Sequence, residues 1–398
     1  MTLRRSSRKK PHRQAKMLLT NCAACAAPLP HRAKQCSRCK TRYCGPACQK
    51  EHWDAAGGHE NLCKKIKKGG GAEQYHADKK YKEAVAEAVE ACRGRHKGQK
   101  CYICLEAVHP HTGEGLVRGC GCGDRDGVAS PELGVAHVSC LARQAKVLFA
   151  EAQENNLDYK VKNERWKQWT TCGLCGQEYH GVVRCALGWG CWETYVGLPE
   201  GDWNRNGALT MLGNGLNESG RHEDWLAILE VQLATQRRLG SIETQIMVTR
   251  SNLALCLSKL GRLEESLAIK REVYAREKVL LGTSHLNTLI TGRNLVFTLN
   301  KLKHYVEVKA LARRELVPRS RHTFGSEHDI ALGIQQNYAE ALFNDPTASR
   351  ADILQAVAIL EDVVRAYRRV LGKHHPDTLC ALAYLERARM KREDVAAP

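Results

Sequence analysis

The stretch "CSRCKTRYCGPACQKEHWDAAGGHENLC", residues 36–63, places five cysteines and two histidines in 28 positions. With "CAAC" upstream, the pairs run Cys22-x2-Cys25, Cys36-x2-Cys39, Cys44-x3-Cys48 and His59-x3-Cys63. A close pair lets one tight turn offer two ligands to one metal, so eight ligands in four pairs suit two tetrahedral Zn²⁺ ions. If alternate pairs share a metal, the chain interlocks, which replaces a core that so short a segment cannot supply. His52, between Gln49 and Trp53, reads as structural rather than as a ligand.

A second set follows: Cys101-x2-Cys104, Cys120-x-Cys122, His137-x2-Cys140 and Cys172-x2-Cys175. Seven cysteines and one histidine again make two tetrahedral sites. The chain of 398 residues contains 19 cysteines. Its start has basic residues but no apolar stretch of a signal peptide, and there is no apolar run long enough for a membrane helix. Cysteines at metal spacing in such a chain imply a reducing, intracellular setting, cytoplasm or nucleus, and metal rather than disulfides. Cys92, Cys185, Cys191, Cys256 and Cys380 lack partners at ligand spacing and read as buried packing residues.

The net charge of +18 is uneven. Residues 1–100 hold 24 Lys/Arg against 8 Asp/Glu, and the rest is nearly neutral. Each cluster of seven thiolates and two Zn²⁺ would contribute about −3, which reduces the field. Specific nucleic-acid binding is therefore not expected.

The last third repeats. Leu239-Gly240, Leu281-Gly282, Phe324-Gly325 and Leu371-Gly372 recur at intervals of 42, 43 and 47. Asn252, Asn294 and Asn337 are in phase, as are His285, His328 and His375 and the pair Gly220 and Gly261. Helical periodicity with such a period predicts stacked helical hairpins. The histidines, one per repeat, are expected at turns and caps rather than on a metal.

Three resemblances attach to these residues. "YCGPACQKEHW" and its ligand order resemble the MYND finger, which implies that Cys22, Cys25, Cys44 and Cys48 hold one zinc and Cys36, Cys39, His59 and Cys63 the other. The family's contacts to proline-containing peptides fall on Gln49 and Trp53. "CYIC", "CGC", "HVSCL" and "CGLC" resemble the RING-CH (RING-variant) finger of ubiquitin ligases. That implies one zinc on Cys101, Cys104, His137 and Cys140, another on Cys120, Cys122, Cys172 and Cys175, and a conjugating-enzyme contact at Ile103. The chain departs from the family in a long interval around "GDRDGVASPELG", in lacking the tryptophan after the sixth ligand, and in lacking membrane helices. Trp166 and Trp169 either substitute for that tryptophan or pack the zinc core. The repeats, with "LGKHHPDT" at 371–378, resemble the kinesin-light-chain type of tetratricopeptide repeat.

The expected fold is small zinc-stabilised cross-brace fingers followed by an all-α tetratricopeptide-like superhelix. Its parts are a disordered basic arm (1–20), a MYND-type finger (21–64), a linker with a short helix (65–100), a RING-CH-like finger (101–200) and helical repeats (205–390). A MYND finger beside such repeats is similar to the SMYD methyltransferases, but their SET-domain motifs are missing, as are the other catalytic motifs sought. Two functions follow: a RING-CH-type ubiquitin ligase, or a non-catalytic adaptor or corepressor scaffold. Both need four Zn²⁺ and protein or peptide partners, the first a ubiquitin-conjugating enzyme as well. Neither needs a membrane.

Overall fold

A computed structural model describes residues 22–25, 27, 29, 32–55, 57–120, 122, 134–371 and 376–396. The basic arm, the core of the insert after Cys122 and His375 lie outside them. The chain divides into two compact units, Met1–Thr235 and Gln236–Pro398.

The first unit begins with a two-stranded antiparallel hairpin, β1 (Lys34–Gln35) and β2 (Arg42–Tyr43), in the register Lys34↔Tyr43. The turn between them is a metal knuckle: the Lys40 amide donates to Cys36 O at 2.9 Å, and Lys40 itself takes φ 65°. Helix α1 (Pro46–Asp54) opens with proline, whose missing N–H would be unpaired there in any case. In α2 (His59–Lys68), His59, Cys63 and Ile66 are buried at i, i+4 and i+7, one face of a helix. Gly69–Gly71 then turn the chain directly into α3 (Ala72–Ala91), whose Ala72 amide donates to Cys39 O at 2.9 Å.

Residues 65–100, expected as a linker with a short helix, form the end of α2, a tight turn and a longer, 20-residue helix that buries Ala77, Ala84, Val85 and Ala88 and packs on α6 (Gly181–Tyr195). Between them come α4 (Val138–Glu154) and α5 (Tyr159–Trp166). Helix α6 is buried at Val183 and from Cys185 through Trp192, on all sides of the helix, as suits a central helix. It meets α3, α4 and α7 (Trp203–Glu218). The α6–α7 approach requires glycine: a Cβ on Gly188 would stand 2.9 Å from Met211 O, and one on Gly215 2.8 Å from Cys185 Cα. Trp166 and Trp169 are buried, in an aromatic cluster with Phe149 and Tyr195.

Helix α8 (His222–Leu239) carries the chain past Thr235. Among its described residues the second unit's regular elements are all helices: α9 (Glu243–Lys259), α10 (Leu263–Leu280), α11 (Leu286–Lys301), α12 (Tyr305–Leu311), α13 (Val317–Phe324), α14 (Asp329–Asn344), α15 (Arg350–Leu371) and α16 (Pro376–Ala396). Successive helices pack in the order α9–α10–α11 and α14–α15–α16, the tetratricopeptide-like arrangement of stacked hairpins. A π-helical turn, Ala312–Leu316, joins α12 to α13 just ahead of Pro318. A wider turn there accommodates a ring that clashes with the carbonyl four residues back in a regular helix.

The phased residues fall where the repeat requires them. His285 caps α11, its Nδ1 accepting from the Asn287 amide at 3.2 Å, and His328 caps α14, accepting from the Ile330 amide at 3.3 Å. The turns of three successive hairpins take a left-handed residue, Gly220 at φ 74°, Gly261 at φ 78° and Lys303 at φ 63°. Cys92, Cys185, Cys191 and Cys256 are buried as expected, but Cys380 is exposed. It sits on α16 facing a groove rather than the core, its sulfur 3.7 Å from Gln336 Nε2.

Candidate metal centres

The sixteen predicted ligands gather into four clusters of four, and in each cluster the ligand atoms lie within 4.8 Å of one another. The groups are Cys22, Cys25, Cys44 and Cys48; Cys36, Cys39, His59 and Cys63; Cys101, Cys104, His137 and Cys140; and Cys120, Cys122, Cys172 and Cys175. In both sets the first pair joins the third and the second joins the fourth. Two crossed candidate metal sites per set result, each bringing together segments far apart in sequence.

The spacing suits zinc. Tetrahedral Zn–S bonds of about 2.3 Å put two sulfurs about 3.8 Å apart. Cys36 Sγ lies 3.8 Å from Cys63 Sγ, and Cys122 Sγ lies 3.7 Å from Cys172 Sγ. The histidines approach through different nitrogens: His59 Nε2 stands 3.3 Å from Cys39 Sγ, whereas His137 Nδ1 stands 3.3 Å from Cys104 Sγ and 3.7 Å from Cys140 Sγ. Burial holds both imidazoles below the usual histidine range, so each keeps a lone pair to offer.

The sulfurs show why a cation belongs among them. Burial alone would raise the Cys22 thiol, but N–H groups of the knuckle, including the Cys44 amide 3.4 Å from its sulfur, outweigh that and bring it to about 6. Hydrogen bonding from Cys120 takes Cys172 down to about 4, while burial and its cysteine neighbours push Cys122 up to about 12. Four adjacent sulfurs cannot all be thiolates without a charge to oppose their repulsion. A divalent metal supplies it.

The clusters differ in exposure. All four members of the Cys36 cluster are buried, whereas Cys25 and Cys44 of the first are exposed. His52 stands outside both, its Nδ1 3.1 Å from the Tyr43 hydroxyl. Gln49 and Trp53, four apart on α1, share a face and are half-buried; Trp53 packs edge-on to His59 with ring centroids 5.6 Å apart. Ile103 is half-buried in the Cys101 knuckle, its amide 3.4 Å from Cys101 Sγ.

Sequence reading passed over some neighbours. Glu114 caps the start of α4 beside His137, accepting from the Ser139 amide at 2.8 Å. Leu105, Val108 and Leu174 are exposed beside the knuckles, at 67%, 58% and 49%. Their place between or just after ligand pairs is the signal that could have found them, since short knuckles have little interior in which to hide a leucine.

Residues 22–63 match the family model of the MYND finger. No curated protein matches the chain. Among solved structures, a kinesin light chain protein of Podosopora anserina with nearly identical TPR-like repeats is 21% identical, with a TM-score of 0.40 over 47% of this chain and 86% of its own. BtubC (BKLC) of P. vanneervenii is 10% identical, with a TM-score of 0.36 over 66% of this chain and 91% of its own. The chain thus joins a MYND finger and a second Cys/His-rich region to TPR-like helices, with four Cys/His clusters compatible with zinc. No described helix is long and apolar enough to cross a membrane.

Proposed function

We propose that the chain is an intracellular, zinc-dependent protein-interaction protein whose second finger works as a RING-CH-type ubiquitin ligase module. On this reading the sixteen clustered residues are the ligands of four zinc ions. All are closed sites: each has four protein ligands and no open position, so the metal holds shape and performs no chemistry. A ligase of this type contributes positioning. It binds a charged conjugating enzyme and orients the thioester toward the acceptor amine.

The observation that carries this reading is the crossed pairing of the second ligand set around a knuckle that presents Ile103 half-exposed. An apolar residue held by a rigid metal turn offers a fixed docking point. Gln49 and Trp53 would take a short peptide in the same way, the indole packing the finger with one side and leaving the other to a proline ring. The conjugating enzyme and substrate would meet in the cytoplasm or nucleus.

Ubiquitin-chain formation by the purified chain with a panel of conjugating enzymes tests this. Chains that require Ile103, lost in Ile103→Ala while zinc content holds, support the ligase.

A second reading, a non-catalytic adaptor, draws on the repeats. Asn294 and Asn337 line a groove of about 380 Å³ with Phe297, Arg293 and Asp329. Amides presented at regular intervals can both donate to and accept from an extended backbone. No chains with any conjugating enzyme would leave this reading in place.

A further inference from the structure

Residues 32–70 carry ten Lys/Arg against three Asp/Glu. The thiolates of two zinc-loaded clusters would contribute about −3 there, which leaves a local surplus of about four. Folding gathers much of that surplus into one place. The Cys36 cluster joins the β1–β2 turn to α2, because Cys36 and Cys39 stand on the turn and His59 and Cys63 on the helix. The Ala72 amide, donating to Cys39 O at 2.9 Å, ties the same turn to the far end of α2, where the Gly71 amide donates to Ile66 O at 3.0 Å. Arg38 and Lys40 on the turn are thereby set against the helix that bears Lys64, Lys65, Lys67 and Lys68.

All six side chains are exposed, and among the described residues none of them is ion-paired. The second unit shows the opposite pattern: Arg250, Arg271, Arg276 and Arg389 each pair with a glutamate. Helix α2 buries His59, Cys63 and Ile66, so Lys64, Lys65 and Lys68 stand on its other side. Lys64 and Lys68 lie four apart, where like charges repel. Lysines in a last turn do favour the negative end of a helix, which suits Lys65, Lys67 and Lys68. That accounts for neither Lys64 nor the two cations on the turn.

The patch also lacks what a protein partner uses. Among the described residues no exposed large apolar side chain falls between residues 32 and 70. Protein interfaces centre on aromatic and apolar anchors and are depleted in lysine. Phosphate backbones are held chiefly by Lys and Arg, with an affinity set by how many phosphates are neutralised.

We propose that this patch on the first finger binds the phosphate backbone of a nucleic-acid duplex without reading its bases. The contact is separate from the zinc chemistry and from the Gln49–Trp53 face, and it does not depend on ligase activity. DNA and RNA duplexes share the phosphate chemistry.

The test is fluorescence anisotropy of the full zinc-loaded chain with labelled 20-base-pair DNA and RNA duplexes of one sequence and of its scramble. Six phosphate contacts predict a slope of log K against log salt of about −5 or steeper, so affinity should fall about a thousandfold between 50 and 200 mM salt. Scrambling should change affinity less than about twofold. Arg38→Gln with Lys65→Gln and Lys68→Gln should flatten the slope by about three and weaken binding at least tenfold at 100 mM salt. Should that variant lose zinc, Lys68→Gln alone should still flatten the slope by about one. The control Lys160→Gln with Arg165→Gln and Lys167→Gln removes the same charge from exposed positions elsewhere and should leave the slope in place. Tighter binding of one duplex names the nucleic acid, and equal binding assigns the patch to either; both support the site. Duplexes that do not bind, or an equal loss in patch variant and control, overturn the proposal. So does tighter binding of decaglutamate or of phosphatidylserine vesicles than of the duplexes, which would assign the patch to an acidic protein or a membrane surface.

Discussion

Lys270 is a charge in the wrong place, and replacing it should strengthen the repeats. Its side chain lies in the second unit, 2% exposed, with Nζ donating to Thr298 Oγ1 at 2.6 Å and Ser258 Oγ at 3.0 Å and no carboxylate beside it among the contacts described. Burial lowers its pKa to about 8 from an ordinary 10.5. That shift corresponds to about 3 kcal/mol against the charged form at neutral pH. Lys270→Met keeps the apolar stem and removes the ammonium. Both hydroxyls retain partners, Thr298 donating to Asn294 O at 3.1 Å and Ser258 sitting 2.7 Å from Ser266, so no orphan is created. Allowing for imperfect packing of the new thioether, the variant should gain about 1–3 kcal/mol at pH 7. Because the folded pKa is depressed, the unfolded chain binds more protons between about pH 8 and 10.5, and wild-type stability rises over that window. The advantage of Lys270→Met should therefore shrink as pH climbs from 8 to 10.5. Urea melts of the full zinc-loaded chain at pH 7 and 10, followed by helical circular dichroism, measure both. A variant less stable than wild type at both pH values would show that the hydroxyl contacts outweigh desolvation, and the reasoning would be wrong.

Further outcomes follow from single positions. Lys303 holds the left-handed turn that Gly261 holds one repeat earlier, so Lys303→Gly should stabilise by about 0.5–1 kcal/mol, read as a raised thermal midpoint, and Gly261→Ala should lower it. Gly188→Ala drives a Cβ to 2.9 Å from Met211 O, a backbone atom that cannot yield, and should cost about 1–3 kcal/mol by the same melts. Exposure of Cys25 and Cys44 predicts that one zinc of the four leaves first under a colorimetric chelator. That fast phase should vanish in Cys25→Ala, and its survival there would place the labile ion elsewhere.

The ligand pairs were legible because a knuckle keeps its two ligands close in sequence: one to three residues separate the members of every pair, and that spacing is written directly in the chain. His285 and His328 were legible as caps for a similar reason, since each precedes a helix by one residue. Helix α6 was not. "VVRCALGWGCW" is apolar all round apart from Arg184 and holds two glycines, so neither amphipathic period nor propensity marks it, and its character comes from the helices around it. With α6 unseen, α3 had nothing to pack on and read only as a short helix inside a linker. Cys380 was assigned inward because cysteine usually is, and only the groove beside Gln336 places it outside. Arg38 and Lys40 meet the lysines of α2 through the Cys36 cluster, a proximity that charge counting along the chain does not carry.

Native mass spectrometry of the purified chain counts the metals that the two sets of ligands hold. Wild type should carry four zinc ions, and Cys101→Ser with Cys172→Ser, one ligand removed from each site of the second finger, should carry two. Two ions in the wild type, unchanged in the double variant, would mean that the second set of sulfurs holds no metal.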